Sequence, residues 1–183
     1  MGYDLDQHRH RFSVWAAARA AQRGLAGGLV ETLGKALEDC GVVDDLKSTR
    51  LDDIDASRFD ALHRRWCNSI IGFLSKAGVR NVTFGRAAKL IAIYLKSVVV
   101  LGPASETAFA QIAHPPIDRN LLRNLAGSTV PSAKPEWESI NWTKLCEEQY
   151  YELIEQLRQV LGPNEPFWAL ERFWTVTSGA DEE

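Results

Sequence analysis

An all-α fold is the class this sequence predicts, on three observations. Apolar residues recur at spacings of three and four instead of alternating. Ala and Leu stand where β-branched runs would mark strands, and Gly and Pro fall where such helices should stop. The 183 residues are 45% hydrophobic and 25% charged, enough for a core that needs no disulfide or metal staple. The expectation is one compact domain of about seven helices over 1–177, with 178–183 as a flexible acidic tail.

Asp6 is placed to cap a first helix to about residue 22, closed by Arg23-Gly24, with Phe12, Trp15, Ala16, Arg19 and Ala20 at helical spacing. Gly27-Gly28 opens a second, ending before Gly41. Residues 43–54 are acidic and read as a loop. Ser57-Arg58-Phe59-Asp60, a capping box in the broad sense, starts a third helix to Lys76, with Phe59, Leu62, Trp66, Ile70, Phe73 and Leu74 on its apolar side. Thr83 is an N-cap for the fourth and most apolar helix, 84–101, stopped by Gly102-Pro103 and expected to cross the middle of the domain. A short helical piece from Ser105 leads to a fifth helix, 119–125. After a linker holding Pro131 and Pro135, helices over 143–161 and 166–176 finish the chain.

The net charge of −3 and pI near 5.8 exclude a protein coated in positive charge, but the average hides an asymmetry. Residues 76–123 carry +5 and residues 124–183 carry −7. The basic segment suits nucleic acid, and the acidic C-terminal helices suit a protein partner. Cys40, Cys67 and Cys146 form no C-x-x-C and fit a reduced, cytoplasmic setting. The first residues lack the apolar region of a secretory signal, and Lys89 and Lys96 interrupt the most apolar stretch, so no membrane partner is expected. No P-loop, dinucleotide fingerprint, G-x-S-x-G or H-E-x-x-H occurs, so no cofactor and no metal are called for.

Lys89 and Lys96 are the central candidates. Seven residues apart on a helix, they lie within about 20° of one stripe, with Arg86 beside them. Each either runs its aliphatic stem to the surface, pairs with a C-terminal glutamate, or has its pKa lowered by burial and neighbouring cations so that it acts as nucleophile or base. Pro115-Pro116-Ile117 fixes the approach to Asp118, which stands where a helix N-cap belongs and where its carboxylate can also face a cleft. Weaker candidates are His8 and His10, an exposed basic helix end or an anion or metal contact, and His63 with Cys67, a lone pair at metal-ligand spacing. Asp52, Asp53 and Asp55 sit favourably before a helix N-terminus, and Glu171, between Trp168 and Trp174, is available to Lys89 or an arginine.

The run Phe84-Gly85-Arg86-Ala87-Ala88-Lys89-Leu90-Ile91-Ala92, followed by Pro115-Pro116-Ile117-Asp118-Arg119-Asn120-Leu121-Leu122-Arg123, resembles the catalytic half of helix–hairpin–helix DNA glycosylases of the 8-oxoguanine type, over about residues 78–126. Lys96, 22 residues before Asp118, is closer to the family spacing than Lys89, 29 before it. The resemblance implies base excision from DNA. Asp118 would stabilise the sugar cation, Lys89 or Lys96 would attack C1′, Arg80, Arg86, Arg119 and Arg123 would meet phosphates, and Trp66 or Tyr94 would stack on the extruded base. The whole chain also resembles small bacterial helical proteins with a Trp-rich ending, here Trp168-Ala169-Leu170-Glu171-Arg172-Phe173-Trp174, a likeness that brings no activity with it. The rival readings are a non-catalytic protein–protein interaction module, in which both lysines are structural, and a helical small-ligand pocket lined by Trp and Tyr. Catalysis requires a lysine near Asp118 beside an arginine-lined cleft; the interaction module does not.

Overall fold

The structure, a computed structural model, describes residues 2–25 and 27–175. The eight α-helices among them are α1 (Leu5–Ala21), α2 (Val30–Asp39), α3 (Val42–Ser48), α4 (Ala56–Lys76), α5 (Phe84–Leu95), α6 (Ala108–Ile112), α7 (Arg119–Ala126) and α8 (Glu147–Arg158). A π-helical turn, Lys96–Val100, follows α5, and 3₁₀ turns cover Pro135–Ser139, Trp142–Lys144 and Phe167–Phe173. No strand occurs among the described residues. The fold is all-α around α5, which packs against α1 on one side and α4 on the other; Ile93 alone of its residues escapes full burial. α1 turns Ala17, Ala18 and Ala21 inward, small side chains that let the two backbones approach.

Side-chain caps explain most helix starts, each contributing about 1 kcal/mol. Asp4, rather than Asp6, caps α1 by accepting from the amides of Asp6 and Gln7 at 3.0 Å. Asp55 caps α4 by accepting from the Arg58 amide at 2.8 Å, and the Ser57 hydroxyl bonds to that carboxylate instead of capping. Thr83 and Asp118 cap α5 and α7 as the sequence indicates.

Four expected elements differ. Part of the 43–54 loop is α3: Gly41 supplies a left-handed turn at φ +92°, and Asp44 and Asp45 sit favourably in the first turn of the helix. Asp45 also accepts the indole N–H of Trp66 at 2.7 Å and pairs with Arg65, tying α3 to α4. The 84–101 helix changes at Lys96 to i→i+5 bonding, with the Leu101 amide 2.8 Å from the Lys96 carbonyl. The last two helices are shorter than expected: 143–161 resolves into a 3₁₀ turn plus α8, and 166–176 into a 3₁₀ segment ending at Phe173. The expected tail, 178–183, lies outside the described residues. Among those described, no helix is long and apolar enough to cross a membrane.

Candidate functional site

Three chain segments meet at α5 and the turn that follows it. α5 supplies Arg86 and Lys89, three apart and hence on one face. The N-terminus of α7 supplies Asp118, and the segment after α8 supplies Glu171 and Trp174. Gly85 brings in a fourth: its amide donates to the Leu145 carbonyl at 3.1 Å, and a β-carbon there would overlap the Trp142 carbonyl oxygen, so only glycine lets the Trp142 turn lie against α5.

Lys89 Nζ donates to Asp118 Oδ2 at 3.0 Å and lies 4.5 Å from the centre of the Trp142 ring, in cation–π contact. Lys89 is 8% exposed, so its ammonium is nearly dry. Asp118 accepts the Leu121 amide on Oδ1 and, at 3.0 Å each, Lys89 and the Trp174 indole N–H on Oδ2. Burial pulls the Lys89 pKa below its ordinary value, with Arg23 adding to the fall, and the Asp118 carboxylate only partly opposes this. At Asp118 burial favours the neutral acid but is outweighed by Lys89, the Leu121 amide and Trp174, which hold the carboxylate below its ordinary value. Asp118 is therefore ionised near neutrality, and Lys89 gives up its proton more readily than a solvated lysine.

Lys96, seven residues on, takes a different partner: it pairs with Glu171 and lies 5.7 Å from the Trp174 ring centre. Beside the Lys89–Asp118 pair, and sharing Trp142 with it, opens a cleft of about 480 Å³ whose charged lining is Arg23, Arg86, Arg119 and Glu138. A second, more apolar hollow of about 260 Å³ runs past Lys96, Leu101, Pro115, Pro116, Trp168 and Glu171.

Asp118 is steadied from behind. His114, four residues before it, is fully enclosed; with its proton on Nε2 it donates to Asp60 Oδ1 at 3.0 Å and accepts from the Tyr150 hydroxyl at 3.1 Å. Asp60 in turn pairs with Arg158 at 3.0 Å. Pro115 and Pro116 carry that fixed point rigidly to the α7 cap. His63 and Cys67 belong to the same packed core: His63 Nδ1 lies 2.9 Å from the Tyr151 hydroxyl, and Cys67 Sγ lies 3.8 Å from the imidazole. Among the described residues no group of three or more His, Cys, Asp or Glu side chains is placed to hold a metal ion.

Two stacking candidates require correction. Trp66 is fully buried, edge-on to Phe59 and bonded to Asp45, and Tyr94 is 3% exposed, its hydroxyl 3.0 Å from His10 Nδ1, at a separate hollow that neither Lys89 nor Asp118 lines. The aromatic rings at the site are Trp142 and Trp174. Arg80 stands exposed in the turn before α5, and Arg123 half-buried on the last turn of α7; neither lines the arginine cleft. Sequence reasoning passed over Arg23 and Trp142, which reach the site from far along the chain with no periodicity to mark them. Glu171 pairs with Lys96 rather than with Lys89 or an arginine. The acidic C-terminal third is also less free than its charge suggests, since Glu147, Glu155, Glu165 and Glu171 are in ion pairs.

Comparisons with family models, curated proteins and solved structures return no match.

Proposed function

We propose that the protein binds nucleic acid and cleaves a base–sugar bond, glycosylase-like, with Lys89 as nucleophile and Asp118 as the carboxylate beside the sugar. The observation that carries this reading is the largely buried Lys89–Asp118 pair, joined through Trp142 to a cleft that Arg23, Arg86 and Arg119 line.

Breaking a glycosidic bond builds positive charge on the sugar, and a carboxylate fixed by a backbone amide and an indole stabilises that charge without having to reorganise. Lys89, with its pKa lowered by burial, loses a proton more readily than a solvated lysine, and its amine then adds to C1′ as the base departs. Collapse of that adduct gives a Schiff base between Lys89 and the opened sugar. The second hollow, floored by Pro115 and Pro116, offers room for one extruded ring. Lys96, held by Glu171, serves structure at the rim of this hollow rather than chemistry.

Base release is the test. Oligonucleotides carrying damaged bases are incubated with the wild-type protein and with Asp118→Asn; release by the former and loss of at least a hundredfold in the latter is expected. Binding to the same duplexes should weaken steeply with salt, as phosphate contacts require. Absence of binding at low salt would leave the interaction module as the better reading.

A further inference from the structure

Among the described residues, the arginine cleft holds a positive charge that no ion pair balances. Arg86 is 8% exposed. Its Nη1 donates to the carbonyls of Ala21 at 3.2 Å and Arg23 at 2.6 Å, at the end of α1, which fixes the guanidinium in place. Its Nε is buried without a hydrogen-bond partner. Among the described residues Arg86, Arg23 and Arg119 take part in no ion pair, although Glu138 lies in the same lining. A buried guanidinium whose Nη1 is held by two backbone carbonyls and which meets no carboxylate among the described residues, flanked in the cleft lining by two more cations, is a site short of an anion.

We propose that Arg23, Arg86 and Arg119 form a binding site for the phosphate group of a nucleotide. Three guanidinium forks arriving from three separate elements suit a tetrahedral anion with several acceptor oxygens; a carboxylate would be satisfied by one fork. Arg86 supplies the rigid donor, and the exposed Arg23 and Arg119 close on the group from the rim. The cleft, at about 480 Å³, exceeds what a lone phosphate fills and leaves room for an attached sugar; Trp142 stands in its lining. Trp142 also contacts Lys89, so a phosphate held here leaves its nucleotide next to the Lys89–Asp118 pair. The identity of the ligand as a nucleotide rests on the function proposed above; the phosphate site itself does not.

Inorganic phosphate is the first probe, titrated against the full chain with sodium chloride holding ionic strength constant, and followed by melting temperature and by ³¹P line width. Saturable stabilisation by phosphate is expected. Arg23→Gln and Arg119→Gln, both at exposed, unpaired side chains, should each weaken it about tenfold without changing the melting temperature in chloride. Arg86→Gln should abolish it, but the two rim variants keep the test valid should that protein fail to fold. Phosphate no more stabilising than chloride, or a phosphate effect unchanged in both rim variants, would overturn the proposal. A deoxynucleoside 5′-monophosphate and a short oligonucleotide then compete for the site. Tighter competition by the oligonucleotide assigns a polymer backbone as the source of the phosphate, tighter competition by the monophosphate assigns a free nucleotide, and competition by neither counts against the nucleotide. Phosphate binding without base release would remove the proposed activity and keep the site; base release with phosphate binding absent would do the reverse.

Discussion

At Lys89, burial pulls the ammonium towards losing its proton while Asp118, 3.0 Å away, holds the proton on. Removing one side of such a pair strands the other in a dry place, which costs more than the pair itself contributes. Lys89→Met is therefore expected to destabilise the fold by about 3 kcal/mol in urea denaturation, and adding Asp118→Asn should recover part of that loss. Equal losses in the single and double variants would mean that the two charges do not depend on each other. Lys89 and Asp118 were legible in the sequence because a lysine on an apolar helix and an aspartate after two prolines both demand an explanation from local text alone. Trp142 and Arg23 gave no such sign: a tryptophan in a short turn and an arginine before a glycine are ordinary in themselves, and only the folded chain brings them to α5. Trp66 and Tyr94 misled for the opposite reason, since aromatic residues on helices bury their faces by default.

α5 was the most legible element, capped by Thr83 and apolar nearly throughout, and its N-terminus is also the most constrained. Gly85→Ala would set a β-carbon against the Trp142 carbonyl and push the 3₁₀ turn off the helix. A loss of about 2–4 kcal/mol is expected from overpacking against backbone, together with loss of base release as Trp142 moves from Lys89. Full stability with full activity in that variant would show that the turn has slack the geometry does not suggest. α3 escaped notice because a seven-residue helix offers only about two turns of apolar pattern, too short for periodicity to speak against an acidic composition. The 3₁₀ segments at Trp142–Lys144 and Phe167–Phe173 carry helix-forming residues, and their tighter winding is set by packing, not propensity.

Across the whole molecule the largest titratable commitment away from the cleft is the pair of enclosed histidines. Burial, named first for both, drives the pKa of His63 and of His114 below the ordinary 6.5, and Asp60 offsets this only in part. The unfolded chain thus takes up protons near pH 6.5 that the folded chain refuses, so stability is full above about pH 7 and falls as the pH drops below 6.5. Each such group adds at most about 1.4 kcal/mol per pH unit to the slope. The carboxylates of Asp60 and Asp118, held below their ordinary values, add a second decline as the pH falls through 3.8 and below. Denaturant midpoints from pH 8 to 5 measure the first decline; a flat profile would contradict the enclosed, neutral histidines. The charge asymmetry along the chain was legible by counting, but its meaning was not. Four of the C-terminal glutamates are spent on ion pairs, whereas among the described residues the three arginines around one cleft form none, a contrast that depends on which side chains meet in space.

Covalent trapping tests the central claim most directly. The protein is incubated with a duplex holding an abasic site, borohydride is added, and the adduct is mapped by peptide analysis. The account predicts one reduced adduct on Lys89, absent from Lys89→Met and retained in Lys96→Met. No adduct, or one mapped to Lys96 or to the N-terminal amine and undiminished in Lys89→Met, would contradict it.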